Sequence, residues 1–429
     1  MSGVVVAAAR RGRRTFWFVL LSCLWFRPAV ALPVAAIEFS GNLQTKERIL
    51  RQELLLQPGE PLEMAAVEAS RQALMDLGLF RQVESSVEER EEGAVVRFTV
   101  VEKRYFLPLP RLDAEPSGDY SYGMEMRVDN LAGLNQRVRL VYDIDRRLDG
   151  EAESRDLSLE YRYPRMGGSR YNLGTRFSLE EEDLVEEERL LARRTTRAAA
   201  LSLSRWLTRE GPSRGWRLGG GFDFEDRRHA AHSTESGTYA DSRVVQISGG
   251  VEHFTVHEYP YHREGQAYGY RLDLGLPELG SDWSYNRHLL SWRRYQPLPF
   301  AARPNLNWRL QVGMAGGARF GASAYRLGGD DTLRGYEGGY AEGNAMILLN
   351  SEYLHPINGY RQLRGVLFMD LGNAWSRPSE SEPLRLHPSA GIGLRWKVQS
   401  FVDFTLTADY AWGIDADSRA TYLHTSGTF

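Results

Sequence analysis

The sequence predicts a mainly β protein: a 16-stranded antiparallel transmembrane β-barrel preceded by one small α+β domain. Three observations carry this expectation. From residue 105 onward the helical period vanishes and a two-residue alternation takes over, in segments near the roughly ten residues that a tilted spanning strand needs. Counting such segments to the C-terminus gives about sixteen, an even number, as closed bacterial barrels require. The apolar faces of these segments are aromatic, in a chain that is 11% aromatic and holds 42 glycines, a composition suited to strands and tight turns. A mean hydropathy of -0.43 is compatible with such a barrel, because its strands alternate polar and apolar residues. No run after residue 31 is long and apolar enough for a spanning helix, which excludes a helical membrane protein.

Residues 1–31 read as a secretory signal peptide. Arg10, Arg11, Arg13 and Arg14 precede an apolar core over 16–26, then Pro28 and the small-x-small site Ala29-Val30-Ala31. The core is too short to span a bilayer. Arg13-Arg14-Thr15-Phe16 faintly resembles a twin-arginine signal, and Leu20-Leu21-Ser22-Cys23 a lipoprotein box. Cys23 is the only cysteine, so the exported chain is expected to carry no disulfide and no thiol nucleophile.

Residues 33–103 predict the small module, in the order β-α-α-β-β. A strand over 35–39 runs into the turn Ser40-Gly41-Asn42, and Thr45 is placed to cap a helix bearing Ile49, Leu50 and Leu54. A second helix follows Pro61, with Val67, Ser70, Leu74 and Leu77 along one face and Gly78 as its stop. Strands over 81–88 and 95–101 form a hairpin around an acidic turn at 89–93.

Residues 105–429 predict the barrel. Val138, Leu140, Tyr142 and Ile144 alternate with Arg137, Arg139, Val141 and Asp143. Tyr171, Leu173, Thr175, Phe177 and Leu179 alternate with Asn172, Gly174, Arg176 and Ser178. The acidic run over 180–189 is expected to be a solvated extracellular loop, with divalent-cation binding as the alternative. Gly219-Gly220-Gly221 falls inside an expected strand and reads as a bend or thin wall. The first candidate strand, 105–113, holds Pro108 and Pro110, whose missing N–H groups fall on one side. If that side is the seam with a last strand over 422–429, ending in Phe429, the seam is a weak lateral gate.

The most informative stretch runs over 326–376. A Gly-rich loop carries Leu333-Arg334-Gly335-Tyr336, and the two alternating runs after it each hold one acid, Glu352 and Asp370. Arginine keeps its charge in any surroundings and grips a carboxylate with two parallel bonds. One Arg and two acids on adjacent apolar segments therefore predict a built network, the alternative being a surface loop with an incidental Arg. This stretch resembles the signature of the BamA/TamA-type outer-membrane assembly and translocation barrels (the bacterial surface antigen family), with Leu333 in place of the usual Val. The resemblance implies that a loop over 321–343 folds into the lumen, that Arg334 is its arginine, and that Glu352 and Asp370 are the partners. It also makes 33–103 a POTRA-like periplasmic domain, whose helix-exit motif Leu77-Gly78-Leu79-Phe80-Arg81-Gln82-Val83 resembles. The terminal Phe429 is similar to the targeting signal of such barrels.

The resemblance implies an outer-membrane protein that assists insertion or translocation of polypeptides without nucleotide, metal or other cofactor. Its implied partners are outer-membrane lipid and lipopolysaccharide, an unfolded or secreted client polypeptide, and periplasmic chaperones or accessory proteins. A dedicated exporter of one client, or a passive porin or structural barrel, are the alternatives, and a single POTRA-like module departs from the multi-domain assembly factors. Nucleic acid is excluded as a partner, since 53 basic and 56 acidic residues are interspersed. The residues offer no enzyme: there is no Gly-x-Ser-x-Gly elbow. His253, His257 and His262 with Glu252, Glu258 and Glu264 form the densest candidate metal cluster, His253 and His257 being expected on one strand face, and interfacial or lumen-facing side chains are the better reading.

Overall fold

The computed structural model describes residues 32–425 except 115–119, 147–152, 187–188, 208–212, 232–239, 301–302, 318–322, 358, 377–384 and 417. The expected signal peptide with Cys23, the terminal Phe429 and residues 321–322 of the expected lumen loop lie outside the described residues.

The N-terminal domain comprises β1 (Val34–Ser40), α1 (Glu47–Arg51), α2 (Met64–Asp76), β2 (Phe80–Arg90) and β3 (Gly93–Glu102). The sheet order is β1-β3-β2, with β1 parallel and β2 antiparallel to the central β3. Helix α2 buries Val67, Leu74 and Met75 in a core with Phe80, Val96 and Phe98. It stops at Gly78, whose φ of 71° suits glycine and whose amide donates to the Met75 carbonyl at 2.9 Å. The hairpin turn is tighter than expected, since pairing continues to Arg90↔Gly93.

Thr45 corrects the expectation. It caps no helix: α1 starts at Glu47 after Lys46 without a side-chain cap. The Thr45 hydroxyl, 1% exposed, instead meets the Tyr105 hydroxyl at 3.1 Å and accepts from Asn130 Nδ2 at 2.9 Å. A buried junction with the barrel has taken the side chain that local pattern assigned to a cap.

Sixteen antiparallel strands then form the closed barrel, from the first (Phe106–Ala114) round to the last (Ser418–His424), which lies beside the first. The barrel is inside out relative to a soluble fold. Met314, Leu367 and Ile392 are more than half exposed on its outer face, while Glu352 and Asp370 are buried inside. Apolar residues outside and charged ones within are what lipid and a polar lumen demand of alternate positions.

The acidic run is strand and not loop through residues 180–186, and 187–188 lie outside the described residues. The fifth strand (Tyr171–Glu186) and the sixth (Arg189–Trp206) pair all the way to Glu186↔Arg189. Arg193 faces Asp183 at 2.7 Å, and Arg194 contacts Glu182, so cross-strand charge pairs extend the hairpin through the acidic stretch. Gly219, Gly220 and Gly221 do lie within a strand, the seventh (Gly215–Ala231).

The N-terminal domain is seated on turns at one end of the barrel. Lys46 N–H donates to the Gly133 carbonyl at 3.0 Å, Arg165 reaches Glu53 at 3.2 Å, and Glu258 N–H donates to Asp76 at 2.8 Å. Val402, from the turn between strands fourteen (His387–Lys397) and fifteen (Thr405–Gly413), is buried in the domain's own core. Burial raises the Glu53 carboxyl pKa, and Arg165 and Ser213 counter the shift. These turns all follow even-numbered strands. The connection after the eleventh strand (Asn305–Gly317) therefore leaves from the opposite end.

Candidate functional site

That connection is built to turn back inward. Tyr325–Leu327 pairs with Ala341–Gly343 as a short neck. Within it the Thr332 hydroxyl accepts from Gly328 N–H at 2.7 Å and donates to the Gly328 carbonyl at 2.8 Å, closing a tight turn. Tyr325, Leu327, Leu333, Tyr336 and Ala341 bury together against Met346, Leu348 and Ala374 of the wall. This small core draws the polar Arg334 into the lumen between Leu333 and Tyr336.

Arg334 is fully buried. Its Nε and Nη2 grip Asp370 of the thirteenth strand (Tyr360–Trp375), each at 2.8 Å, in the two-bond geometry that guanidinium and carboxylate favour. Nη1 donates to Glu352 of the twelfth strand (Ala345–Ile357) at 2.7 Å and to Asp409 of the fifteenth at 3.3 Å. The guanidinium carbon stands 3.6 Å from the Phe368 ring centroid, so the cation also rests on an aromatic face. Burial works against the Arg334 charge, but Asp370, Glu352 and Asp409 outweigh it and hold the group more firmly protonated than usual.

Sequence reasoning missed the other half of the network. Arg395 of the fourteenth strand donates to Glu352 at 2.7 Å and to Asp409 at 2.5 and 2.9 Å. Asn350 donates to Asp370 at 2.8 Å and to the Thr332 carbonyl at 2.7 Å. The Gly335 amide donates to the Tyr422 hydroxyl of the last strand at 3.0 Å. Tyr336 donates to the Pro388 carbonyl at 2.7 Å and contacts Asp415. Arg334 through Glu352, Asp370 and Asp409, Tyr336 through Pro388, and Gly335 through Tyr422 thus fasten the loop to every strand from the twelfth to the sixteenth. The signal available for Asp409 and Arg395 was a charge on the lumen side of an alternating strand; choosing among such charges requires the register.

Gly335 has no substitute. Its φ is 91°, and a Cβ there would lie 2.7 Å from the Gly413 amide and the Trp412 carbonyl carbon. The loop approaches the fifteenth strand main chain to main chain.

The seam is short: the last strand has seven residues, and the first holds both prolines. Asp129 N–H donates to the Tyr105 carbonyl at 2.7 Å, with Phe106↔Val128 next in register. In an antiparallel pair, hydrogen bonding alternates along each strand. Odd positions of the first strand therefore turn their main-chain groups to the second strand, and even positions turn theirs to the last. Pro108 and Pro110 withhold two donors from the seam side. Phe429 lies outside the described residues.

The histidines do not assemble. His253 packs between Trp216 and Tyr268, with ring centroids at 5.0 and 5.1 Å. His257 belongs to a separate two-residue strand, His257–Glu258, and faces Asp76 at 3.2 Å. His262 stacks on Tyr259 at 4.7 Å. The chain leaves the eighth strand (Ser242–Phe254) before His257, so His253 and His257 share no strand face.

A model of the Omp85 superfamily domain matches residues 130–422. The chain belongs to the Omp85 superfamily. Residues 32–103 match the POTRA family, described as a surface antigen variable number repeat. Among solved structures, BamA from Haemophilus ducreyi lacking POTRA domains 1–3 is 20% identical, covering 91% of this chain and 83% of that one at a TM-score of 0.54. CdiB from Escherichia coli is 15% identical over 92% of this chain and 76% of its own, at a TM-score of 0.67. CdiB from Acinetobacter baumannii is 15% identical over 92% and 73%, at 0.63. These likenesses concern the fold. No curated protein matches the chain in sequence. As an Omp85 barrel the chain resides in the outer membrane, with its POTRA domain in the periplasm. The turns that carry that domain are accordingly periplasmic, and the Arg334 loop enters the lumen from the outside.

Proposed function

We propose that this protein assists insertion of polypeptides into the outer membrane, or their translocation across it. The observation that carries the reading is the reach of the Arg334 network. It braces the wall from strand twelve to strand sixteen, up to a seam whose other side lacks two donors at Pro108 and Pro110. A rigid edge beside a hydrogen-bond-poor partner is a place where an incoming client strand can pair instead. The outer strands of the POTRA sheet, β1 and β2, offer a second edge to an extended client segment. The reading involves no catalytic step, metal or cofactor, only exchange of strand pairing. Client polypeptides, outer-membrane lipid and lipopolysaccharide, and periplasmic chaperones or accessory proteins are its partners.

The test replaces Pro108 and Pro110 with Val and joins strands one and sixteen by engineered cysteine pairs. Restored donors should tighten the seam, and crosslinking should stop delivery. Depleting the protein should alter the outer-membrane or exported proteome. An unaltered proteome together with solute-selective conductance would replace this reading with a passive porin. Loss of one exported polypeptide alone would narrow it to a dedicated exporter.

A further inference from the structure

Below the Arg334 network lies a lumen chamber of about 960 Å³. The loop residues Asp330 and Asp331 line its outer end, and Tyr261 and His262 of a periplasmic turn, with Arg263 at the start of the next strand, line the other. Ten Arg or Lys side chains face it against six Asp or Glu, so the chamber is a cationic space inside a protein of net charge -3.

One of those cations stands apart. Arg364, on the thirteenth strand, is 6% exposed, and its Nε has no hydrogen-bond partner among the described residues. No carboxylate lies within ion-pair distance of it among them, whereas the nearby Arg395 and Lys397 have Glu352 and Glu258. The strand register sets it in one row across the wall, Arg364↔Arg395↔Thr407↔His424. The Thr407 hydroxyl in that row is also buried without a partner among the described residues. Water can fill a hydrogen-bonding valence, but it does not neutralise a buried charge, and a buried arginine without a counter-charge is expensive to keep. The same potential acts on His262 in the turn below. Burial, then Arg364, Lys397 and Arg303, lowers its pKa to about 4.

We propose that Arg364 is the docking point for carboxylate side chains of an acidic polypeptide segment lodged in this chamber. The proposal deepens the reading of the protein as a polypeptide-handling barrel and rests on it. A peptide fits better than a lipid anion. The lining is mostly charged and polar, and its scattered apolar side chains, such as Leu354 and Leu406, provide no path for an acyl chain. The occupant would pair with Arg364, neutralising a charge that the described residues leave open.

The experiment uses the full chain in detergent micelles and labelled hexaglutamate as the probe. Saturable, salt-weakened binding is expected, on the order of tenfold weaker in Arg364→Gln and largely restored in Arg364→Lys. Hexalysine should not bind. Heat resistance of the folded barrel should be unchanged or higher in Arg364→Gln, because no partner is lost. Hexaglutamate binding that ignores the substitution would overturn the proposal. So would displacement of the peptide by inorganic phosphate at equal concentration, which would make the site a simple anion site. A marked loss of heat resistance in Arg364→Gln would overturn it too, by placing a partner within this chain. The binding assay needs no natural client. An unaltered proteome on depletion would therefore sink the function while leaving the site, and absent hexaglutamate binding would sink the site alone.

Discussion

Strands five to eight and strands twelve to sixteen lie on opposite sides of the ring and are built in opposite ways. The second wall carries Glu352, Asp370, Arg395, Asp409 and Tyr422 on its lumen face, all engaged with the loop or with one another. The first presents small side chains in adjoining rows: Gly174↔Ser202, Ser202↔Gly221↔Ser248 and Ser204↔Gly219↔Gly250. One wall is fixed by ionic contacts to an inserted segment, and the other leaves space. The comparison teaches where the lumen's rigidity comes from. Hydrogen-bonded strands are common to both walls, so the difference lies in the side chains, and substitutions on the two walls should differ in scale.

The largest effect is expected at Arg334. Arg334→Ala leaves Asp370, Glu352 and Asp409 buried with Arg395 as the remaining cation of the network, and breaking a buried pair from one side costs about 3–5 kcal/mol. The loop should detach, which proteolysis of residues 328–340 in reconstituted vesicles would report. Arg334→Lys keeps the charge but loses the two-bond grip on Asp370, so a loss of about 1–3 kcal/mol is expected. Exchanging the charges, Arg334→Asp with Asp370→Arg, should recover part of the anchoring. A loop equally protected in Arg334→Ala would remove the basis for distinguishing the walls.

Two glycines sharpen the contrast. Gly335→Ala must hold φ at 91° and press a Cβ to 2.7 Å from main-chain atoms of Trp412 and Gly413, a strain of about 1–3 kcal/mol. Gly221→Ala places its Cβ 2.7 Å from the Ser248 hydroxyl, which can rotate away, and 3.1 Å from the Leu201 carbonyl oxygen, which must give slightly, so a smaller loss of about 0.5–1 kcal/mol is expected. Heat-modifiable migration of the folded barrel measures both. Equal losses would mean that the thin wall is packed as tightly as the fastened one.

The sequence made the barrel legible because lipid imposes a strict two-residue period over hundreds of residues. Arg334, Glu352 and Asp370 were legible as a motif, since they lie close in the chain and among apolar residues. Arg395, Asp409 and Tyr422 were not, because each joins the cluster through strand register, which one sequence does not encode locally. Thr45 and the acidic run at 180–189 misled for a related reason. Both looked like local signals, a cap and a loop, and both were claimed by partners distant in the chain or across a strand pair. Arg364, without a partner among the described residues, was invisible for the converse reason: a missing partner cannot be read from a pattern.

The smallest expected effect concerns the strap that joins the two walls. The turn at 255–262 follows strand eight and crosses to the fastened side, where Lys397 Nζ meets Glu258 and the Tyr259 carbonyl, both at 3.3 Å, and Gln399 donates to the Pro260 carbonyl at 3.2 Å. His262 sits in this turn with its pKa lowered to about 4 from the usual 6.5, by burial first and then by Arg364, Lys397 and Arg303, with Glu258 opposing. A released strap binds the His262 proton more readily than a docked one. Its docked stability is therefore fully present above pH 6.5 and falls as the pH drops from 6.5 toward 4. Amide exchange across 255–262 should speed up over that window and respond less in His262→Phe, with the remainder carried by His257 of the same turn, whose pKa burial and then Arg214 also lower to about 4. Because Arg364 is one of the cations depressing His262, Arg364→Gln should bring the docked pKa nearer 6.5, narrow the window and weaken the acid-driven speed-up. An exchange profile insensitive to both substitutions would mean that the two walls are not coupled through this turn.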